Sequence, residues 1–184
     1  MSIDTLAETQ RAAKSVLGGV SENQLTAPSP CSEWDVAALI DHLVGSQYWF
    51  LQAISVAKPA DAAVDASTGD YRAAFDEVSA SVMDALSADG FESRAVELPF
   101  GTFTGAQFVD FVGLETLAHS WDVAKATSQN TDLAPDAAAH LLEVAQATMG
   151  DDRVENGNFG SVQPCAPDAP AADRLAAFLG RRVD

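Results

Sequence analysis

Glu115 and His119, in the segment Glu115-Thr116-Leu117-Ala118-His119-Ser120-Trp121-Asp122, stand four residues apart, a spacing that stacks both side chains on one helix face. Carboxylate and imidazole both ligate divalent metals, so the pair presents two donors in one direction. His42, in Asp41-His42-Leu43-Val44-Gly45, lies far off in sequence within another apolar helical pattern. Two packed helices would bring His42, Glu115 and His119 together as a His-Glu-His metal site. Three protein ligands leave a coordination position open, the pattern of a catalytic and not a structural site. A water taking that position would become a hydrolytic nucleophile. The same spacing also suits a bundle that binds metal or a small ligand without turnover.

Each neighbour has a functional and an ordinary reading. Asp122 follows His119 by three residues, where it would orient a ligand imidazole or hold a substrate amine, or else be a solvated helix acid. Trp49 and Trp121 are pocket walls or simple core, and Tyr48 is a substrate donor or a rim residue. Cys31 precedes a helix start, where the helix dipole favours a thiolate, but it reads better as an apolar staple packing on Val36. His140, between Ala139 and Leu141, has no comparable partner set and stays outside the site as a partly exposed helix residue.

The elements that must position these residues follow from apolar periodicity and from start and stop signals. Ile3, Leu6, Ala13, Val16 and Leu17 mark a first helix from Ser2 to about Leu17, interrupted by Thr9 and Gln10 and stopped at Gly18-Gly19. After a proline-bearing loop, Ser32 and Asp35 suggest a capping box for a second helix to about Val56, whose stripe through Leu39, Ile40, Leu43, Phe50 and Ile54 is broken only at Gln47. His42 lies on the flank of that stripe. Lys58 to Gly69 reads as a connection, and Tyr71, Phe75, Val78, Val82 and Leu86 mark a third helix ending near Gly90. Between Val96 and Phe103, Pro99 and Gly101 favour a small hairpin. Thr104 and Gln107 form a better capping box for a fourth helix to about Thr127, which carries Glu115 and His119. Pro135 opens a fifth helix to Gly150, and Ala171 to Leu179 makes a short last one stopped by Gly180. The expected fold class is all-α, a four-helix bundle with short additional helices and a minor extended segment.

Composition narrows the partners. The chain has 184 residues, 47% of them apolar, which suits one domain over residues 1–184. Its 27 acidic against 10 basic side chains give a formal charge of −17, which repels phosphate backbones and anionic lipid. Nucleic acid and membrane are therefore not expected as partners. Met1 leads directly into a polar helical segment without a leader pattern, so a cytoplasmic protein is expected. Exposed apolar flanks are compatible with a homodimer. Cys31 and Cys165 are too few for a disulfide framework and are expected to be free thiols.

Three stretches carry a resemblance. Pro30-Cys31-Ser32-Glu33-Trp34-Asp35-Val36 leading to His42-Leu43-Val44-Gly45, the segment from Glu115 to Thr127, and the closing Asn158-Phe159-Gly160 with Asp173-Arg174-Leu175-Ala176-Ala177-Phe178-Leu179-Gly180-Arg181 together resemble the actinobacterial mycothiol-dependent maleylpyruvate isomerase-like branch of the DinB superfamily, in a single-domain subgroup. The resemblance covers nearly the whole chain. It implies a DinB-like four-helix bundle that binds a divalent metal, commonly zinc or nickel, through two histidines and a glutamate, which fall on His42, His119 and Glu115. It also implies mycothiol or a similar low-molecular-weight thiol as cosubstrate and a small electrophile as substrate. The isomerase has an additional C-terminal domain that contributes to its active site, whereas this chain ends after one short helix beyond Pro170. The expectation is therefore the shared chemistry, thiol transfer to a small electrophile or its isomerisation, and not maleylpyruvate isomerisation itself. A non-catalytic metal- or ligand-binding bundle and a metal-dependent hydrolase are the alternatives.

Overall fold

The computed structural model describes residues 1–32, 34–55, 65–150, 154 and 159–184. The expected end of the second helix at Val56, most of the connection from Lys58, and Glu33 and Asn158 of the resembling stretches lie outside the described residues. Six α-helices and one hairpin are described, besides two single-turn 3-10 helices: α1 (Ile3–Gly19), α2 (Val36–Ser55), α3 (Tyr71–Leu86), β1 (Ala95–Leu98), β2 (Gly101–Thr104), α4 (Gly105–Ala126), α5 (Pro135–Thr148) and α6 (Ala171–Phe178). The fold is all-α, as expected, with the hairpin as its minor extended part.

Caps explain most boundaries. Ser2 accepts from the amide of Thr5 to start α1, and Asp70 accepts from that of Ala73 to start α3. At α4 the capping box is complete, because Thr104 accepts from the Gln107 amide while the Gln107 side chain accepts from the Thr104 amide. At α2 the expected Ser32 cap is replaced by Asp35, whose Oδ1 accepts from Ala38 N at 2.9 Å. A carboxylate one residue before the first turn meets the orphan amides directly, so the helix starts later than the Ser32 pattern suggested. The α1 helix runs through Gly19, past the expected glycine stop, and closes on Val20.

Helices α1 to α4 form the bundle. Each of α1 and α2 packs against both α3 and α4, while α5 and α6 pack on each other and on the outer side of α4. The breaks in the apolar stripes of α1 and α2 are matched across the core. Gln10 donates to Gln47 Oε1 at 3.1 Å, and Gln47 donates to Thr116 Oγ1 at 3.0 Å, all three being buried. A buried amide chain of this kind tolerates no slip of one helix past another, so it ties the registers of α1, α2 and α4 together.

The hairpin pairs Leu98 with Gly101 and Ala95 with Thr104, leaving Pro99-Phe100 as a two-residue turn. Gly101 takes φ +147°, a conformation that side-chain-bearing residues rarely adopt, which accounts for the glycine there. No described helix is long and apolar enough to cross a membrane.

Candidate metal centre

Helix α2 contributes His42 and helix α4 contributes Glu115 and His119, and packing of α2 on α4 brings the three together. His42 Nε2 is 2.6 Å from Glu115 Oε1, and His119 Nε2 is 3.3 Å from the same oxygen. The two imidazoles meet edge to face at 4.6 Å between ring centroids. Trp34, just before α2, lies over both, 4.6 Å from the His42 ring and 5.6 Å from that of His119. This group forms part of the wall of an open cavity of about 910 Å³, which also takes in Cys31, Phe100, Phe111 and Arg181.

Behind His119 stands Asp122, with no exposed surface. Its Oδ2 lies 3.1 Å from His119 Nδ1, and because an ionised carboxylate only accepts, Nδ1 must carry the proton. That directs Nε2 of His119 toward Glu115 and the cavity. Arg181 grips Asp122 from the other side, with Nε 3.2 Å from Oδ1 and a terminal nitrogen 3.0 Å from Oδ2. The Cys31 thiol also donates to Oδ2, at 3.1 Å.

Arg181 reaches this point because the C-terminal segment is tied to α4. Trp121 Nε1 donates to Asp173 Oδ1 at 2.7 Å, and Lys125 Nζ donates to the Val183 carbonyl at 2.8 Å. Gly180 has φ +96°, and a Cβ there would come within 2.4 Å of Gly160 Cα. Only glycine fits this crossing, and the chain leaves it with Arg181 facing Asp122.

The charges are mutually stabilising. Burial pushes the Glu115 carboxyl up, but the hydrogen bonds and positive charge of His119 and His42 outweigh it and hold Glu115 well below the usual carboxylate range. Burial pulls His119 down, yet its bonds to Asp122, Cys31 and Glu115 raise it well above 6.5. Asp122, pushed up by burial, is held below its ordinary value by His119 and Arg181. Arg181, disfavoured by burial, is raised in turn by Asp122 and Cys31.

Two clusters among the described residues have donors close enough to share a cation: His42, Glu115 and His119, with their ligand atoms all within 4.8 Å, and Cys31, His119 and Asp122. In the second, the Arg181 guanidinium already touches both Asp122 and Cys31 and so stands where a cation would. The first faces the cavity, and among the described residues the basic side chains against Glu115 are the two histidines. Its two imidazole nitrogens and one carboxylate oxygen suit a divalent transition ion.

Sequence reasoning singled out the three converging residues and Asp122 but missed three others. Cys31, read as an apolar staple, touches Asp122 and lines the cavity. Arg181 and Trp34 were not singled out at all. Each depends on contacts between distant segments, and the one local hint was that Trp34 and Cys31 flank the start of α2. Trp49 and Trp121 do not line the cavity: Trp121 is buried and bonded to Asp173, and Trp49 packs among phenylalanines. Tyr48 is exposed and lies outside the cavity lining. His140 stays apart, with Nε2 2.8 Å from Asp110. Cys165 is a free thiol in a separate shallow groove near the C-terminus.

Two proteins from two strains of Mycobacterium tuberculosis, both described as uncharacterized, are each 36% identical over 179 residues, covering 95% of this chain and 94% of theirs. No solved structure matches significantly. The family described as mycothiol maleylpyruvate isomerase N-terminal domain matches residues 6–124, which include His42, Glu115, His119 and Asp122 but end before Arg181. With that match over more than half of its length, the chain belongs to the mycothiol maleylpyruvate isomerase N-terminal domain family.

Proposed function

We propose that this protein is a metal-dependent enzyme that uses a low-molecular-weight thiol, mycothiol or one like it, to attack a small electrophile, with His42, Glu115 and His119 as the ligands of zinc or nickel. The observation that carries this reading is the convergence of two imidazole nitrogens and one carboxylate oxygen on a cavity wall. A divalent ion held by three protein ligands would supply an open position at which a thiol would lose its proton near neutral pH.

The chain's own residues prepare that position. Asp122 holds the Nδ1 proton of His119 and leaves Nε2 as the nitrogen that would hold the cation. Arg181 keeps Asp122 ionised in a fully buried position. Trp34 lies over both imidazoles and forms a wall beside them. The cavity leaves room beside the ligands for both a thiol and its electrophilic partner.

The test is elemental analysis of tag-free protein, followed by cobalt substitution and titration with mycothiol. About one metal per chain, with a visible-band change on adding thiol and thiol-dependent loss of an electrophile, is expected. Metal with no spectral response to thiol would favour a binding protein without this chemistry, and hydrolysis without thiol would favour a metal-dependent hydrolase.

A further inference from the structure

The cavity has a second pole that the metal-and-thiol reading does not use. Phe100 is 61% exposed, the most exposed large apolar side chain among the described residues, yet it is held in a fixed place. It occupies the second position of the Pro99-Phe100 turn, between paired Leu98 and Gly101, where Pro99 restricts the backbone. One ring face runs parallel to Trp49, at 6° and 6.4 Å, while Phe103 and Phe111 meet it at steeper angles with centroids 5.7 and 5.8 Å away. The surface left over lines the same cavity as His42, Glu115 and His119.

Helix α4 sets the distance between the two poles. Phe111 precedes Glu115 by four residues, about 6 Å along the axis and on nearly the same face, and Leu114 lies between them. Both line the cavity. About 6 Å is the reach of a benzene ring attached to a reacting carbon. A pre-positioned aromatic platform loses little conformational freedom on binding, and an apolar group laid on it removes surface that the folded chain leaves wet.

Resting on the thiol-transfer reading above, we infer that Phe100, Phe111 and Leu114 form the subsite for an aryl or comparably broad apolar substituent of the electrophile, so that the preferred substrates are aryl-bearing. For an epoxide of this class, thiolate sulfur bonds to a ring carbon, that carbon–oxygen bond breaks, and the oxygen leaves as an alkoxide that takes a proton from water.

Two measurements test this on the full chain. In the first, the unreactive diols 1-phenyl-1,2-ethanediol and 1,2-propanediol are titrated by ligand-observed NMR against wild type, Phe100→Ala and Phe100→Tyr. The phenyl diol should bind wild type and Phe100→Tyr alike, and Phe100→Ala roughly tenfold more weakly. The methyl diol should not distinguish the three. Equal affinity of the phenyl diol for wild type and Phe100→Ala, or no binding to wild type, would overturn the subsite. Sedimentation of the same proteins covers the rival occupant: a dimer lost in Phe100→Ala with phenyl-diol affinity unchanged would assign Phe100 to a contact between copies, and would also overturn it.

The second measurement compares mycothiol-dependent consumption of styrene oxide and propylene oxide. The ratio of their kcat/KM values should fall about tenfold in Phe100→Ala. Diol selectivity with no epoxide turnover would leave the subsite standing and remove the thiol-transfer reading.

Discussion

Replacing Arg181 with methionine removes a guanidinium while keeping much of its apolar stem, and it isolates the contact that ties the C-terminal segment to the site. Asp122 has no exposed side-chain surface and Arg181 only 10%, so the pair is shielded from solvent and salt. Removing one partner of a buried ion pair costs about 3–5 kcal/mol, because a charge is left in a poor medium. Asp122 keeps His119 and Cys31 as partners, which places Arg181→Met at the lower end, about 3 kcal/mol. For a chain of this length that corresponds to a fall in Tm of about 6–12 °C. Urea denaturation should be followed by circular dichroism with a chelator present, so that bound metal adds nothing. Repeating the substitution in the Asp122→Asn background closes a double-mutant cycle. There the arginine has no charge to compensate, so its loss should cost under about 1 kcal/mol, a coupling of about 2 kcal/mol. Equal costs in the two backgrounds would refute the reasoning, since the arginine would then act by packing alone.

Glu115→Gln, His42→Ala and His119→Ala should each abolish stoichiometric divalent metal binding with helical content largely intact, and full metal loading in all three would remove the site assignment. Asp122→Asn should weaken metal affinity about 10- to 100-fold in chelator competition, because the amide no longer holds the His119 proton on Nδ1; unchanged affinity would show that the orientation of His119 comes from elsewhere. In metal-free protein the stabilising effect of Glu115, read as the difference in urea stability between wild type and Glu115→Gln, should depend on pH from both sides. Glu115 is depressed below 4.5, so its contribution is full above that value and is lost as pH falls toward the depressed one. His119 is raised above 6.5, so its contribution is full below that value and is lost as pH rises through the raised one. The difference should therefore peak between about 4.5 and 6.5, and a flat profile from pH 3 to pH 9 would contradict the charge arrangement.

Much of this architecture is readable from local pattern. The capping box Thr104–Gln107, the Pro99-Phe100 turn before Gly101 and the four-residue spacing of Glu115 and His119 are short-range features, and short-range rules place them. Pairing His42 with them takes one further step, that two apolar stripes must pack, and the bundle supplies it. Thr9, Gln10 and Gln47 look like faults in those stripes when each helix is read alone. Gln10 and Gln47 turn out to answer one another across the core, which no single-helix periodicity can show.

Arg181 marks where local reading stops. Fifty-nine residues separate it from Asp122 and 150 from Cys31, and nothing in its own neighbourhood announces a partner. Its position depends on the Gly160–Gly180 crossing and on the Trp121–Asp173 tie, both products of tertiary packing. The consequence reaches the choice between the two donor clusters. His119 belongs to both, offering Nε2 to Glu115 and Nδ1 to Asp122. Arg181 places a fixed positive charge against Asp122 and Cys31, within one cluster, and the other is the proposed metal site. Asp122 sets which nitrogen of His119 faces the cavity, and Arg181, the residue of the site most distant in sequence, holds Asp122 in place.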